Sequence, residues 1–167
     1  MKTLILVDLQ NDFIDGIMGN DESKAIIEPL CDFIKSWKGN IIVTMDTHGS
    51  DYLYTLEGKH LPVPHCIKPT RGWMLNDNIA EVVSKKPNVK YVEKSSFGHF
   101  YWDVDDEGEF VLCGLMTDIC VINNAFIIKN LFRNREVNVI ADLCAGTTPS
   151  NHEQALNLMR VCQVNIL

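Results

Sequence analysis

A carboxylate, an amine and a thiol (Asp8, Lys94 and Cys120) each stand close behind a short apolar run. Brought together, they are the parts of a nucleophilic hydrolase: a base to take the thiol proton, a cation to steady the charge, and the sulfur itself. Cys120 lies in "GLMTDICVINNAFIIKNLF" (114–132), where a turn leads into a long apolar helix with Thr117 or Asp118 as N-cap. In the first turn, unpaired N–H groups and the helix dipole favour a thiolate. The plain alternative is a small apolar residue packed at a helix start. Asp8 follows "TLILV" and is therefore expected to be buried, where a carboxylate needs a partner. It either accepts from backbone N–H groups of "LQND" or acts as general base to the thiol, with Lys94 balancing its charge. Lys94 alone would read as a solvated strand-end lysine.

A second constellation occupies "MDTHGSDYLYTLEGKHLPVPHC" (45–66). If the chain stays extended past Asp46, then Asp46 and His48 point the same way. His65 returns 17 residues later in a loop stiffened by Pro62 and Pro64. One carboxylate and two imidazoles suit a divalent metal, zinc first, with manganese or iron as other candidates. Glu57 is the candidate fourth ligand. The alternative is a polar surface loop with incidental histidines, which is how His60 reads.

These groups need a scaffold that gathers strand ends. Short β-rich runs alternate with helical patterns: strands at 3–7, 40–45, 89–93, 109–114, 136–141 and 164–167, and helices at 22–37, 73–85, from about 118, and at 150–162. Pro29 falls inside the first helical pattern and is expected to kink it. Such alternation predicts one α/β domain over 1–167, a mainly parallel six-stranded sheet covered on both faces. In these sheets ligands sit beyond the carboxyl ends of the strands. Asp8, Asp46 with His48, Lys94, Cys120 and Asp142 each follow a strand, so five strands aim ionisable groups at one rim. Asp142 reads mainly as a turn or backbone partner, and His152 as a capping or packing residue. The long irregular stretch 47–72 is expected to be functional.

Composition narrows the partners. A net charge of −7 argues against nucleic acid or an anionic membrane. No apolar run approaches the roughly 18 residues of a membrane span. The N-terminal "MKTLILVDLQNDF" has too short an apolar core for a signal peptide. Six cysteines without a CxxC pair fit reduced thiols in a cytoplasmic protein.

Taken in order, "LVDLQNDF" (6–13), "DTH" (46–48), "HCIKPTRGW" (65–73), "EKSSFGHF" (93–100), "GLMTDICV" (114–121) and "DLCAGTTPSNHEQAL" (142–156) resemble the isochorismatase-like cysteine hydrolases, specifically their nicotinamidase branch. The resemblance implies a six-stranded parallel sheet with helices on both sides and the triad Asp8, Lys94 and Cys120. It implies a metal at Asp46, His48 and His65, with Glu57 joining in some relatives. It also implies a cis Leu115–Met116 peptide that aims the N–H groups of Met116 and Cys120 at an oxyanion, a small amide as substrate, and a homo-oligomer. Three positions depart from the family pattern. Leu61 stands where a tryptophan stacks on the pyridine ring, leaving Phe13 for the other face. Pro69 replaces a usual glycine, and Met116 a smaller residue. The stretch after Lys94 (95–110) is too short for a full helix and is expected to leave the pocket open on one side.

The activity this implies is cleavage of a small, nicotinamide-like amide through a thioester. An N-carbamoyl compound is the alternative substrate. A non-enzymatic metal- or ligand-binding relative and a redox-sensing thiol protein, with Cys113 as resolving cysteine, are the readings from other classes.

Overall fold

The computed structural model describes residues 2–104 and 108–167. Six parallel strands form one sheet: β1 (Thr3–Val7), β2 (Asn40–Asp46), β3 (Val89–Lys94), β4 (Phe110–Leu115), β5 (Val137–Ala145) and β6 (Asn165–Ile166), in the spatial order β3-β2-β1-β4-β5-β6. The helices are α1 (Asn11–Ile14), α2 (Asp21–Ala25), α3 (Ile27–Ser36), α4 (Leu56–His60), α5 (Asp77–Ser84), α6 (Ile122–Leu131) and α7 (Pro149–Val161). None is long and apolar enough to cross a membrane.

Period-2 alternation divides the core. Leu4 and Leu6 of β1 face a cluster shared with Leu30 and Ile34 of α3 and Ile79 and Val83 of α5. Ile5 and Val7 face the opposite cluster, with Ala125 and Ile128 of α6 and Leu156 and Met159 of α7. Strands buried on both faces explain the unbroken apolar runs. Gly114 is required where β4 passes β1: its φ is +127°, and a Cβ there would sit 2.2 Å from the Val7 carbonyl oxygen.

Several elements differ from the sequence expectation. The helix expected over 22–37 is two helices, broken at Ile26. Pro29 has no N–H for the Ala25 carbonyl and its ring crowds that oxygen, so the break falls one turn upstream. The helix expected from Trp73 begins at Asp77, capped by Asn76 Oδ1 accepting from Asn78 N. Residues 73–76 instead run beside β1's exit, with Asn11 N donating to Met74 O and Asn76 N to Leu9 O. β5 continues to Ala145, so Asp142 lies exposed within the strand and not at its end. The β3–β4 crossover has no helix over 95–104; there Trp102 plugs the second cluster. Residues 105–107 of that stretch lie outside the described residues.

The strand order reverses between β1 and β4. Chain exits to either side leave a crevice at that point, beyond the strands' carboxyl ends.

Candidate functional site

Asp8 leaves β1 at this crevice with φ +49°, a conformation aspartate tolerates better than most residues. It is fully buried. Its N–H donates to Thr44, and Thr44 Oγ1 donates to Asp8 Oδ1 at 2.6 Å. The neighbouring strand thus supplies a hydrogen-bond partner for the carboxylate. Lys94, at the end of edge strand β3, reaches across β2, and its Nζ lies 2.6 Å from Asp8 Oδ2. The same ammonium lies 3.3 Å from Asp46 Oδ1, 3.0 Å from Ser96 O and 3.4 Å from Cys120 Sγ. The Asp8 carboxylate is also near enough to act electrostatically on the Cys120 thiol. Three distant segments therefore meet around one buried ammonium.

Cys120 sits in a wide π-type turn, Thr117–Val121, before α6. Neither Thr117 nor Asp118 caps it, since Met116 holds the N-cap position and makes no side-chain bond. Asp118 turns away to accept from Thr147 N (2.8 Å) and Thr147 Oγ1 (2.6 Å). Thr117 Oγ1 pairs with His152 Nδ1 at 2.8 Å, and Asn124 Nδ2 donates to Cys120 O at 2.8 Å. These contacts fix the nucleophile turn from both sides. The Leu115–Met116 peptide is cis.

The charge balance also departs from expectation. Burial, then the Asp8 carboxylate, push the Cys120 thiol well above its ordinary range, despite Lys94. A neutral thiol, not a thiolate, is the resting form, and a base has to act on it. Burial likewise raises the Asp8 carboxyl, and Lys94 opposes this. Lys94 itself is disfavoured as a cation by burial, yet Asp8, Cys120 and Asp46 carry it above the usual lysine range.

The second cluster lies alongside. His48 and Ile67 form a parallel bridge, with His48 N donating to Cys66 O (3.0 Å) and Lys68 N to His48 O (3.0 Å). Two loops that are remote in sequence thus run side by side and bring both imidazoles together. Asp46 Oδ2 is 3.0 Å from His48 Nε2 and 3.5 Å from His65 Nε2; Glu57 Oε1 is 3.6 and 3.7 Å from the same nitrogens. Ligands about 2.0–2.2 Å from a common ion stand roughly 3.0–3.5 Å apart, so the spacing fits one divalent metal. His65 Nδ1 donates to Val63 O at 2.8 Å, which turns the Nε2 lone pair inward. Burial disfavours ionised Asp46, yet the two histidines and Lys94 hold it below the usual carboxylate range. His60 is exposed and takes no part.

Sequence reasoning missed the supports. Gln10 clamps Asp46 from both sides: Asp46 N donates to Gln10 Oε1 (2.7 Å) and Gln10 Nε2 donates to Asp46 O (2.8 Å). Asp12 Oδ2 accepts from Cys66 N at 2.7 Å and pins the turn after His65. A glutamine and an aspartate two and four residues beyond Asp8 were visible, but nothing in their spacing names their partners. Cys113 packs in the cluster on the other sheet face from Cys120, so it cannot serve as a resolving thiol.

A cavity of ≈ 290 Å³ opens onto Cys120. Phe13, Leu61, Met116, Asp46, Glu57 and His65 are among its lining residues, so both clusters face one space. Pro69, exposed and in cis after Lys68, is not among them. Phe97, from the helix-less crossover, forms part of the wall and is 45% exposed.

Replacing His48 with alanine removes one of the two imidazoles while the parallel bridge, which is backbone, persists. Metal content after dialysis is expected to drop from one equivalent to a trace. The affinity loss should exceed the about 10–100-fold typical of a lost outer-shell contact, with circular dichroism unchanged. Full occupancy in that variant would rule out His48 as a ligand.

The isochorismatase domain family model matches residues 2–167. The isochorismatase family protein PncA of Bacillus subtilis strain 168 is 31% identical over an alignment of 140 residues that covers 74% of this chain and 76% of that protein. Among solved structures, the pyrazinamidase/nicotinamidase of Streptococcus mutans is 28% identical with a TM-score of 0.80, and the match covers 100% of both chains. A Pyrococcus horikoshii pyrazinamidase crystallised with zinc shares the fold, with a TM-score of 0.75 at 23% identity over 99% of this chain and 98% of that one. With the family model spanning nearly every residue and the sheet shared end to end, this chain belongs to the isochorismatase family.

Proposed function

We propose that the protein is a metal-dependent cysteine amidohydrolase that cleaves a small, nicotinamide-like carboxamide through a thioester on Cys120 and releases ammonia. The observation that carries this reading is Lys94 held 2.6 Å from Asp8 and 3.4 Å from Cys120, with Cys120 itself lining a cavity large enough for such a substrate. Asp8 takes the thiol proton, and the sulfur attacks the amide carbon. Lys94 offsets the negative charge that passes between carboxylate and sulfur. The N–H groups of Met116 and Cys120 hold the oxyanion, since the opening turn of a helix leaves its N–H groups free of the helical ladder. Asp8 returns the proton to the leaving nitrogen, and ammonia departs. Asp8 then accepts a proton from water, whose oxygen attacks the thioester. The acid leaves and the thiol is restored.

Asp46, His48, His65 and Glu57 would hold the metal, with zinc favoured by the imidazole–carboxylate set and by the zinc-containing relative. When bound, it supplies a Lewis-acid contact for a substrate heteroatom or a water. Phe13 and Leu61 contact the acyl group. A cytoplasmic location and a homo-oligomeric state belong to the same proposal, the first resting on six unpaired thiols.

The test is ammonia release by zinc-loaded protein from nicotinamide and other primary amides, with acid quench and mass spectrometry. An acyl adduct on Cys120 and stoichiometric ammonia are expected. Turnover without any adduct under single-turnover conditions would contradict the thioester.

A further inference from the structure

The cavity in front of Cys120 carries charge only at its metal-site end. Beside Cys120, its ionisable lining groups are Asp46, Glu57 and the His65 imidazole. Two further polar side chains reach it, and both are committed elsewhere. Asn20 Oδ1 accepts from Ser23 N and its Nδ2 donates to Gly146 O; Thr147 Oγ1 donates to Asp118. Among the described residues, no lysine or arginine lines the space. Asp8, Asp46 and Glu57 stand against Lys94 and one divalent cation, which leaves no excess positive charge for an anionic substrate. A carboxylate drawn in here would lose its water shell without gaining a cation of its own.

The walls are mostly aliphatic: Ile17, Met18, Leu61, Met116 and Ile119, with Phe13 and Phe97 as the only phenyl rings. Phe13 meets His65 edge-on, with ring centroids 5.6 Å apart, and Phe97 is half-exposed at the rim. Beyond its buried area, a flat aromatic ring gains from offset-stacked or edge-on contacts with other rings, and this wall offers few of them. Branched aliphatic side chains instead surround a thick group with many small dispersion contacts. Leu61 is fixed in this wall by its own backbone: its N–H donates to Glu57 O (2.8 Å), and its carbonyl accepts from Tyr52 Oη (3.0 Å).

We propose that the acyl group bound here is uncharged, apolar and non-planar, a branched or cyclic aliphatic carboxamide, and that Leu61 sets this preference. The inference rests on the amidohydrolase and thioester reading above and replaces its nicotinamide-like acyl group with an aliphatic one.

The test compares kcat/KM of the zinc-loaded protein for isovaleramide, cyclohexanecarboxamide, nicotinamide and N-carbamoylglycine, by ammonia release. The two aliphatic amides are expected to exceed nicotinamide by about tenfold or more and N-carbamoylglycine by about a hundredfold or more. Leu61→Trp, which flattens the wall, is expected to move the aliphatic-to-nicotinamide ratio towards nicotinamide by about tenfold. A nicotinamide value within tenfold of both aliphatic amides, a preference for the anion, or an unchanged ratio in Leu61→Trp would overturn the proposal. Turnover of none of the four would instead remove the amidohydrolase reading itself, and this inference with it.

Discussion

Changing Cys120 to serine is expected to lower kcat for amide hydrolysis by at least about 10³-fold and to leave the metal content of the protein unchanged. The two halves of this expectation come from the geometry. Sγ is 3.4 Å from Lys94 Nζ, and no metal ligand touches it, so the Asp46, His48, His65 and Glu57 cluster survives the substitution. A serine hydroxyl at the same place can still accept from Lys94 and is not left unsatisfied, so stability should change by no more than about 1 kcal/mol. Its proton, however, is held far more tightly than a thiol's, and Asp8 is a weak base for it. The measurement is steady-state ammonia release beside metal analysis and thermal unfolding. Residual activity within tenfold of the parent would mean that the metal centre cleaves amides without the thiol, and the sulfur would then be a packing group.

The sequence discloses this site because its reactive side chains sit at strand ends, and an α/β sheet gathers strand ends. Asp8, Asp46 and Lys94 need only the periodic pattern and the carboxyl-end rule to be brought near each other. The parallel pairing follows from the same alternation. Asp142 shows where that logic fails. The pattern ends β5 too early, because "DLCA" continues the strand behind a polar residue, and a shift in pairing register falls between Leu112 and Gly114 on neighbouring β4. The supports were illegible for a different reason. Gln10, Asp12, Thr44 and Asn124 act through hydrogen bonds whose partners their spacing does not name, and polar residues of this kind occur throughout any sequence. Only a folded chain says that Gln10 brackets Asp46, or that Asn124 holds the Cys120 carbonyl while receiving His99 N at 2.9 Å. The balance of influences on the thiol is illegible on similar grounds. Helix position favours a thiolate, but full burial and an adjoining carboxylate oppose it, and neither can be read from spacing.

That carboxylate makes Asp8→Asn the most discriminating substitution after Cys120. The amide keeps the shape of the side chain and the bond from Thr44 Oγ1 to Oδ1. Lys94 loses its 2.6 Å partner but retains Asp46 and Ser96 O, so its charge is not abandoned. Loss of the base is expected to reduce kcat by about 10²–10⁴-fold. Thiol reactivity should move the other way. The Asp8 carboxylate raises the thiol pKa and Lys94 lowers it, so removing the carboxylate leaves the lowering influence unopposed on that side. The pH midpoint for alkylation of Cys120 by iodoacetamide should therefore fall in the variant while turnover collapses. A structural role for Asp8 does not predict that split: disordering the site would slow both reactions together. Alkylation profiles and ammonia release measured on the same zinc-loaded samples separate the cases. If turnover stayed within tenfold of the parent, the leaving nitrogen would be getting its proton from somewhere other than Asp8.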